Sequence, residues 1–216
     1  MMSKAITIAE AQRYDAHTIN EIGIPALVLM ERAALATFNN LLNDDFDLSR
    51  VVVVAATGNN GGDGIAVARL LHIRGIDVEV YLLGDPAKAT PQTSQQLKIA
   101  NYYHIPFTTD LNHVVNATLI VDAIFGVGLS RDITGKFADA INAINAADAK
   151  TVAIDVPSGI NADTGEVMGV AVVADSTTTM AYNKIGLLTI TGKQHSGTVH
   201  VADIGIYAQD HLEHAR

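Results

Sequence analysis

Three short segments of this 216-residue chain combine glycine with side chains that bind ions or move protons. The first is Thr57-Gly58-Asn59-Asn60-Gly61-Gly62-Asp63-Gly64, between an all-apolar run and an amphipathic one. Glycine lets a backbone approach a ligand closely, and a helix that starts here would offer free N–H groups to an anion. The segment is neither a G-x-G-x-x-G fingerprint nor a Walker A loop, since it lacks the lysine. Asp63 would repel an adjacent phosphate, so a hydrogen bond to a ribose hydroxyl or amide, or a helix N-cap, suits it better. The bland alternative is a tight turn with an Asx cap.

The second segment is Asp122-Ala123-Ile124-Phe125-Gly126-Val127-Gly128-Leu129-Ser130-Arg131-Asp132. Asp122 ends an apolar strand pattern, and Arg131 either meets a phosphate or is solvated. The third is Asp155-Val156-Pro157-Ser158-Gly159-Ile160-Asn161-Ala162-Asp163. Asp155 also follows a strand pattern and is the first choice for general acid/base work, because desolvation raises a carboxyl pKa towards neutrality. Its bland role would be to bond loop amides. Asn60, Asp122 and Ser158 together offer one carboxylate and two neutral oxygens, a set suited to a weakly charged hard cation rather than a divalent one.

Other reactive residues form no pattern. The eight histidines, His211 and His214 near the end included, make no HExxH or comparable metal spacing. Ser158 is not in a G-x-S-x-G elbow, so a hydrolase triad has no support. Lys184, in Tyr182-Asn183-Lys184-Ile185-Gly186, either reaches a phosphate or faces solvent, and the sequence leaves both open.

The elements that must position these loops follow from periodicity. Ile8, Ala11, Gln12, Tyr14, Asp15, Thr18 and Ile19 recur at helical spacing, and Gly23-Ile24-Pro25 separates this stripe from a second helix over Ala26 to about Leu42. Strands and helices then alternate: strands at 51–56, 78–83, 119–121 and 151–156, helices at 64–74, 92–103 and 136–147. Later strands are expected at 171–173, 176–181 and 198–201. Repeated β–α units with runs such as Val51-Val52-Val53-Val54-Ala55-Ala56 predict a mostly parallel α/β sheet covered on both faces. Ligands of such sheets bind beyond the carboxyl ends of the strands, where the three segments lie.

Composition narrows the functional classes. Fourteen Lys+Arg against 23 Asp+Glu give a net charge of −9 without a basic run, which disfavours nucleic-acid binding. Cysteine is absent, which excludes disulfides and thiolate catalysis. Apolar residues at 49% and charged ones at 17% indicate a packed core. No repeat, linker, targeting signal or membrane-length apolar run is present, so one cytoplasmic domain over 1–216 is expected.

Taken in order, Gly58 to Gly64, Asp122 to Leu129 and Asp155 to Gly159 resemble the YjeF N-terminal domain family, the NAD(P)H-hydrate epimerases. Leu29-Met30-Glu31-Arg32-Ala33 and the stretch 197–206 extend the likeness over about the whole chain. The resemblance implies a three-layer Rossmann-like α/β fold that interconverts the R and S forms of hydrated NADH and NADPH. It also implies substrate binding by Asn59, Asn60, Gly61, Gly62 and Asp63 and by Gly126, Val127, Gly128, Leu129, Ser130, Arg131 and Asp132. Asp155 would contact the reacting hydrate, and Asn60, Asp122 and Ser158 would coordinate potassium.

A homodimer is implied, with Leu27, Val28 and Leu35 available to a partner subunit. Relatives often carry a dehydratase domain after this one; ending at Arg216, the chain is expected to rely on a separate S-specific dehydratase. It departs from the family pattern at Ala56, where glycine is usual, and at Asp132 and Ile185, where proline is common. Two rival readings remain: a non-catalytic nucleotide sensor or interaction module using the same cleft, and a ribokinase-like transferase. The second lacks its Gly-x-Gly-Asp anion hole.

Overall fold

The computed structural model describes residues 5–207; Met1 to Lys4 and the stretch holding His211 and His214 lie outside them. Nine strands and seven α-helices alternate along these residues. After β1 (Ala5–Ile6) come α1 (Ile8–His17) and α2 (Ala26–Asn43), then β2 (Val51–Ala55), α3 (Asn59–Ile73), β3 (Val78–Leu82) and α4 (Pro91–Tyr102). The chain continues through β4 (Phe107–Thr108), α5 (Leu111–Val115), β5 (Leu119–Ala123), α6 (Lys136–Ala146) and β6 (Lys150–Ile154). It ends with β7 (Ser176–Met180), β8 (Asn183–Lys184), α7 (Ile190–Ser196) and β9 (Thr198–Ala202).

Seven strands form one sheet in the order β4-β3-β2-β5-β6-β7-β9, with every pair parallel. Alternate residues of the central strands feed two separate cores. Val51, Val53 and Ala55 pack with Leu41, Ile65 and Leu71 of α2 and α3, while Val52 and Val54 pack with Ala140, Ile141 and Ile144 of α6. All five residues of β2 are fully buried, as expected for a parallel strand between two helical layers. The result is a three-layer Rossmann-like α/β fold. Among the described residues no helix is long and apolar enough to cross a membrane.

The strand order reverses between β2 and β5, which opens a crevice at their carboxyl ends. The chain enters that crevice from β2, β5 and β6, three adjacent strands. Register explains which side chains reach it: Val54 pairs with Asp122 and Asp122 with Ala153, so Asp122 sits one residue before the end of β5.

Four local expectations change. Helix α3 begins at Asn59, not Gly64, so most of the glycine-rich segment is helix rather than loop. The glycines permit that by close packing: a Cβ on Gly61 would run into the Ala56 carbonyl oxygen, one on Gly64 into Ala123 Cβ, and one on Gly62 would lie 2.6 Å from Met30 Cε. Residues 171–173 form no strand. Their backbone is satisfied elsewhere: Asn145 donates to Ala171 O at 2.9 Å and accepts from Val173 N at 3.0 Å, and Val172 N donates to Ser158 O at 2.8 Å. The first helix leaves α geometry at Thr18 and closes with a π turn over Thr18–Ile22, where Gly23 N and Ile24 N both donate to Thr18 O. Short β1, β4, β8, α5 and α7, which periodicity does not resolve, complete the fold.

Candidate functional site

The crevice is a cleft of about 560 Å³. Gly58, Asn59, Asn60 and Asp63 form one wall, and Ile124 to Leu129 the facing one. Helix α1 crosses the top with Ala11, Gln12, Tyr14 and Asp15. A capping box between Thr7 and Glu10 starts α1, and Asp163 accepts from Ile8 N at 2.7 Å, which fastens this helix to the segment after β6. Part of the stripe, Ala11, Gln12, Tyr14, Asp15 and Ile19, thus lines the cleft, and the polar Gln12 and Asp15 within it were the available signal for that role.

Asp155 lies on the floor directly after β6, in the left-handed region at φ 68°. Aspartate tolerates this geometry better than most residues, and such strain is typical of positions where a side chain must be aimed. The two carboxylate oxygens differ. Oδ1 accepts from Lys184 Nζ at 2.7 Å, Met180 N at 3.3 Å and Thr179 Oγ1 at 3.4 Å. Among the described residues Oδ2 accepts only from Val127 N, at 3.4 Å, and a Cβ on Gly126 would lie 3.0 Å from it. Gly126 thus keeps open the space beside the less-bonded oxygen.

Lys184 is neither solvated nor free for a phosphate. It is 2% exposed, and its ammonium also donates to Thr179 Oγ1, Met180 O and Tyr182 O at 2.8–3.0 Å. Its ion pair with Asp155 is buried. A lone lysine in a short segment gave no sequence signal for this partner, 29 residues away.

Beneath the floor, Asp122 and Ser158 are fully buried. Ser158 Oγ donates to Asp122 Oδ1 at 2.6 Å, Ser158 N to Oδ2 at 2.8 Å, and Phe125 N to Ser158 Oγ at 2.8 Å. Burial pushes the Asp122 carboxyl up to about 6, with the Ser158 hydrogen bonds pulling the other way. The described residues contain no group of three or more His, Cys, Asp or Glu able to hold a metal ion.

Asp63 is half-buried inside α3, four residues past its first residue, so it is not the N-cap; Gly58 takes that place without a side-chain bond. Desolvation, then the charges of Asp155 and Asp15, raise its carboxyl well above the usual range. Asp15 is also raised, by desolvation.

The structure thus gathers Asn59, Asn60, Asp63, Asp155 and Gly126 to Leu129 around one cleft. Gly61 and Gly62 are buried in the packing of α3 instead of lining it. Ser130, Arg131 and Asp132 are exposed and outside its lining.

Comparison with known proteins agrees with this geometry. A NAD(P)H-hydrate epimerase of Levilactobacillus brevis is 89% identical over 215 residues, covering all of both chains. One of Limosilactobacillus reuteri is 56% identical over 97% of this chain and all of its own. The crystal structure of the yeast protein ynu0 matches the fold with a TM-score of 0.78 at 21% identity, over 92% of this chain and 87% of that one. The model of the YjeF-related protein N-terminus matches residues 26–186, and the chain belongs to that family.

Proposed function

We propose that this protein is an isomerase that interconverts the R and S forms of hydrated NADH and NADPH. The relatives at 89% and 56% identity are both NAD(P)H-hydrate epimerases over their full length. The observation that carries the reading is the asymmetric carboxylate of Asp155, with Oδ1 tied to Lys184 and Oδ2 turned towards open space beside Gly126. A positive charge developing on the hydrated ring is stabilised by that oxygen in a site shielded from water by α1. Loss and re-addition of water through an iminium, or opening and reclosing of the ring, both pass through states that Asp155 stabilises.

The substrate lies between the start of α3 and the loop after β5. N–H groups at the uncapped start of α3, around Asn59 and Asn60, face its diphosphate, in keeping with a surface of net negative charge. Gly61, Gly62 and Asp63 shape that wall; Gly126, Val127, Gly128 and Leu129 line the other. Ser130, Arg131 and Asp132 reach only the outer, solvent-facing end of the bound molecule.

Potassium fits beneath the floor. The donor set is all oxygen with a single carboxylate: Asp122, Ser158 and Asn60. Asn60 Nδ2 is buried without a hydrogen-bond partner, so turning this amide to present its oxygen breaks no bond of Nδ2. Bound there, the ion would supply charge balance for Asp122 and a tie between α3, β5 and the loop after β6. Its residues hold the cleft walls in place, and the proton chemistry stays with the cleft side chains.

A separate S-specific dehydratase consumes the product. A homodimer is supported by Leu27, Val28 and Leu35 of α2, each at least 39% exposed. The reading is tested by mixing the protein with R-form hydrated NADH and an S-specific dehydratase. NADH recovery should be faster than the spontaneous rate; an unchanged rate would favour a non-catalytic binder.

A further inference from the structure

Two carboxylates line the cleft in opposite electrostatic surroundings. Asp155 shares a buried ion pair with Lys184. Asp63, from α3, forms no salt bridge among the described residues, and the charges that raise its carboxyl are those of Asp155 and Asp15. The remaining cleft groups do not alter this. Helix α1 presents Tyr14 and Asp15, α2 presents Ala26, Leu29, Met30 and Ala33, the turn before β8 presents Tyr182, and the loop after β5 presents no titratable group. Near α4 stand Thr90 and Gln92, both uncharged. The three N–H groups of the Lys184 ammonium are shared among four acceptors, Asp155, Thr179 and the carbonyls of Met180 and Tyr182.

We infer that Asp63 is the proton donor to the departing hydroxyl of the hydrate, acting as acid partner to the Asp155 carboxylate across the cleft. This rests on the epimerase reading. Where neighbouring carboxyl groups have environments that separate their affinities for protons, one serves as acid and the other as anion. Desolvation and like charge favour the protonated form of Asp63, whereas Asp155 has the Lys184 ammonium 2.7 Å from its Oδ1.

The step balances. The Asp63 carboxyl proton passes to the hydroxyl oxygen on the hydrated ring carbon. The C–O bond breaks, its electron pair leaves with oxygen as water, and the ring-nitrogen lone pair forms the C=N bond of an iminium. Water then adds to the other face: its oxygen forms the new C–O bond, the C=N pair returns to nitrogen, and the released proton goes to Asp155. Exchange through solvent returns that proton to Asp63. Nothing is oxidised or reduced, and the reverse direction uses the same groups in exchanged roles.

The test is the Asp63→Asn variant, nearly the same shape and free of the like-charge repulsion. Its fold is checked by circular dichroism, and its kinetics are measured with R-form hydrated NADH and an S-specific dehydratase in excess. The expected result is a fall in kcat of about 10²–10⁴-fold with KM changed less than about threefold. Asp63→Glu should recover part of kcat. The wild-type kcat should decline as pH rises and Asp63 loses its proton, and Asp63→Asn should lack that decline. A variant with kcat within about threefold of wild type, or with an effect confined to KM, overturns the acid role while leaving epimerisation intact. A wild-type protein that does not accelerate NADH recovery overturns the epimerase reading and this inference together.

Discussion

Lys184 Nζ stands 2.7 Å from Asp155 Oδ1, and the two residues are 2% and 9% exposed. Removing one member of a buried pair strands the other charge in a place water does not reach, at a cost of about 3–5 kcal/mol. Lys184→Met should therefore lower stability by about that amount in urea unfolding and abolish turnover. Adding Asp155→Asn to it should restore part of the stability but none of the activity. A double variant no more stable than Lys184→Met alone would show that the pair is not what holds this corner.

Glycines around the cleft should separate into those that serve packing and those that serve the site. Gly61→Ala forces a Cβ onto the Ala56 carbonyl oxygen, a backbone atom that cannot step aside, so little folded protein is expected. Gly126→Ala places its methyl group 3.0 Å from Asp155 Oδ2, so it should fold normally and lose most of kcat. Gly128→Ala meets nothing within 4 Å and should be near neutral, within about 0.5 kcal/mol. Thermal melts and turnover of the three variants check the order.

Stability should decline with rising pH on account of Asp63 and Asp122. Both carboxyls are raised in the folded protein above the ordinary aspartate value of 3.8, so the native state holds its protons more tightly than the unfolded chain. Their contribution is complete below that value and is lost as pH rises, for Asp122 through about 6. The Asp122 share is about 3 kcal/mol. Asp63→Asn should flatten the decline above pH 4 in chemical unfolding; an unchanged slope would contradict the direction of its shift.

Potassium should bind the ionised form of Asp122 and so offset that loss. Tm at pH 7.5 should rise more with potassium chloride than with choline chloride at equal ionic strength, and the difference should shrink at pH 5. Asp122→Ala should show no difference between the salts. Equal responses in wild type would remove the case for a cation beneath the floor.

Val28, Leu35 and Leu42 recur every seven residues, two helical turns, and each is at least 36% exposed, so they share one face of α2. Val28→Glu with Leu35→Glu should convert a dimer into a monomer in sedimentation velocity while preserving the fold. A wild-type protein that already sediments as a monomer would rule out the dimer.

The parallel sheet was legible because its central strands are apolar at every position, as in Val51 to Ala55, and because helical stripes separate them. The positions of Asp122 and Asp155 were legible for the same reason: each stands at the end of such a run. Residues 171–173 misled because an apolar triplet does not reveal that Asn145 will satisfy its backbone. The glycines of 58–64 misled in another way, since small size serves close helix packing as well as loop freedom, and only neighbours such as Ala56 and Ala123 distinguish the two.

By itself the sequence determined the layered fold, the three segments of the cleft and the exclusion of thiolate chemistry in a chain without cysteine. Periodicity and composition are local properties, and they suffice for that. Tertiary structure alone decided that Lys184 belongs to Asp155, that the charges of Asp155 and Asp15 raise the Asp63 carboxyl, and that α1 lines the cleft while Arg131 stays in solvent. Proton affinity depends on burial and on charges that arrive from distant parts of the chain, and those exist only once the chain has folded.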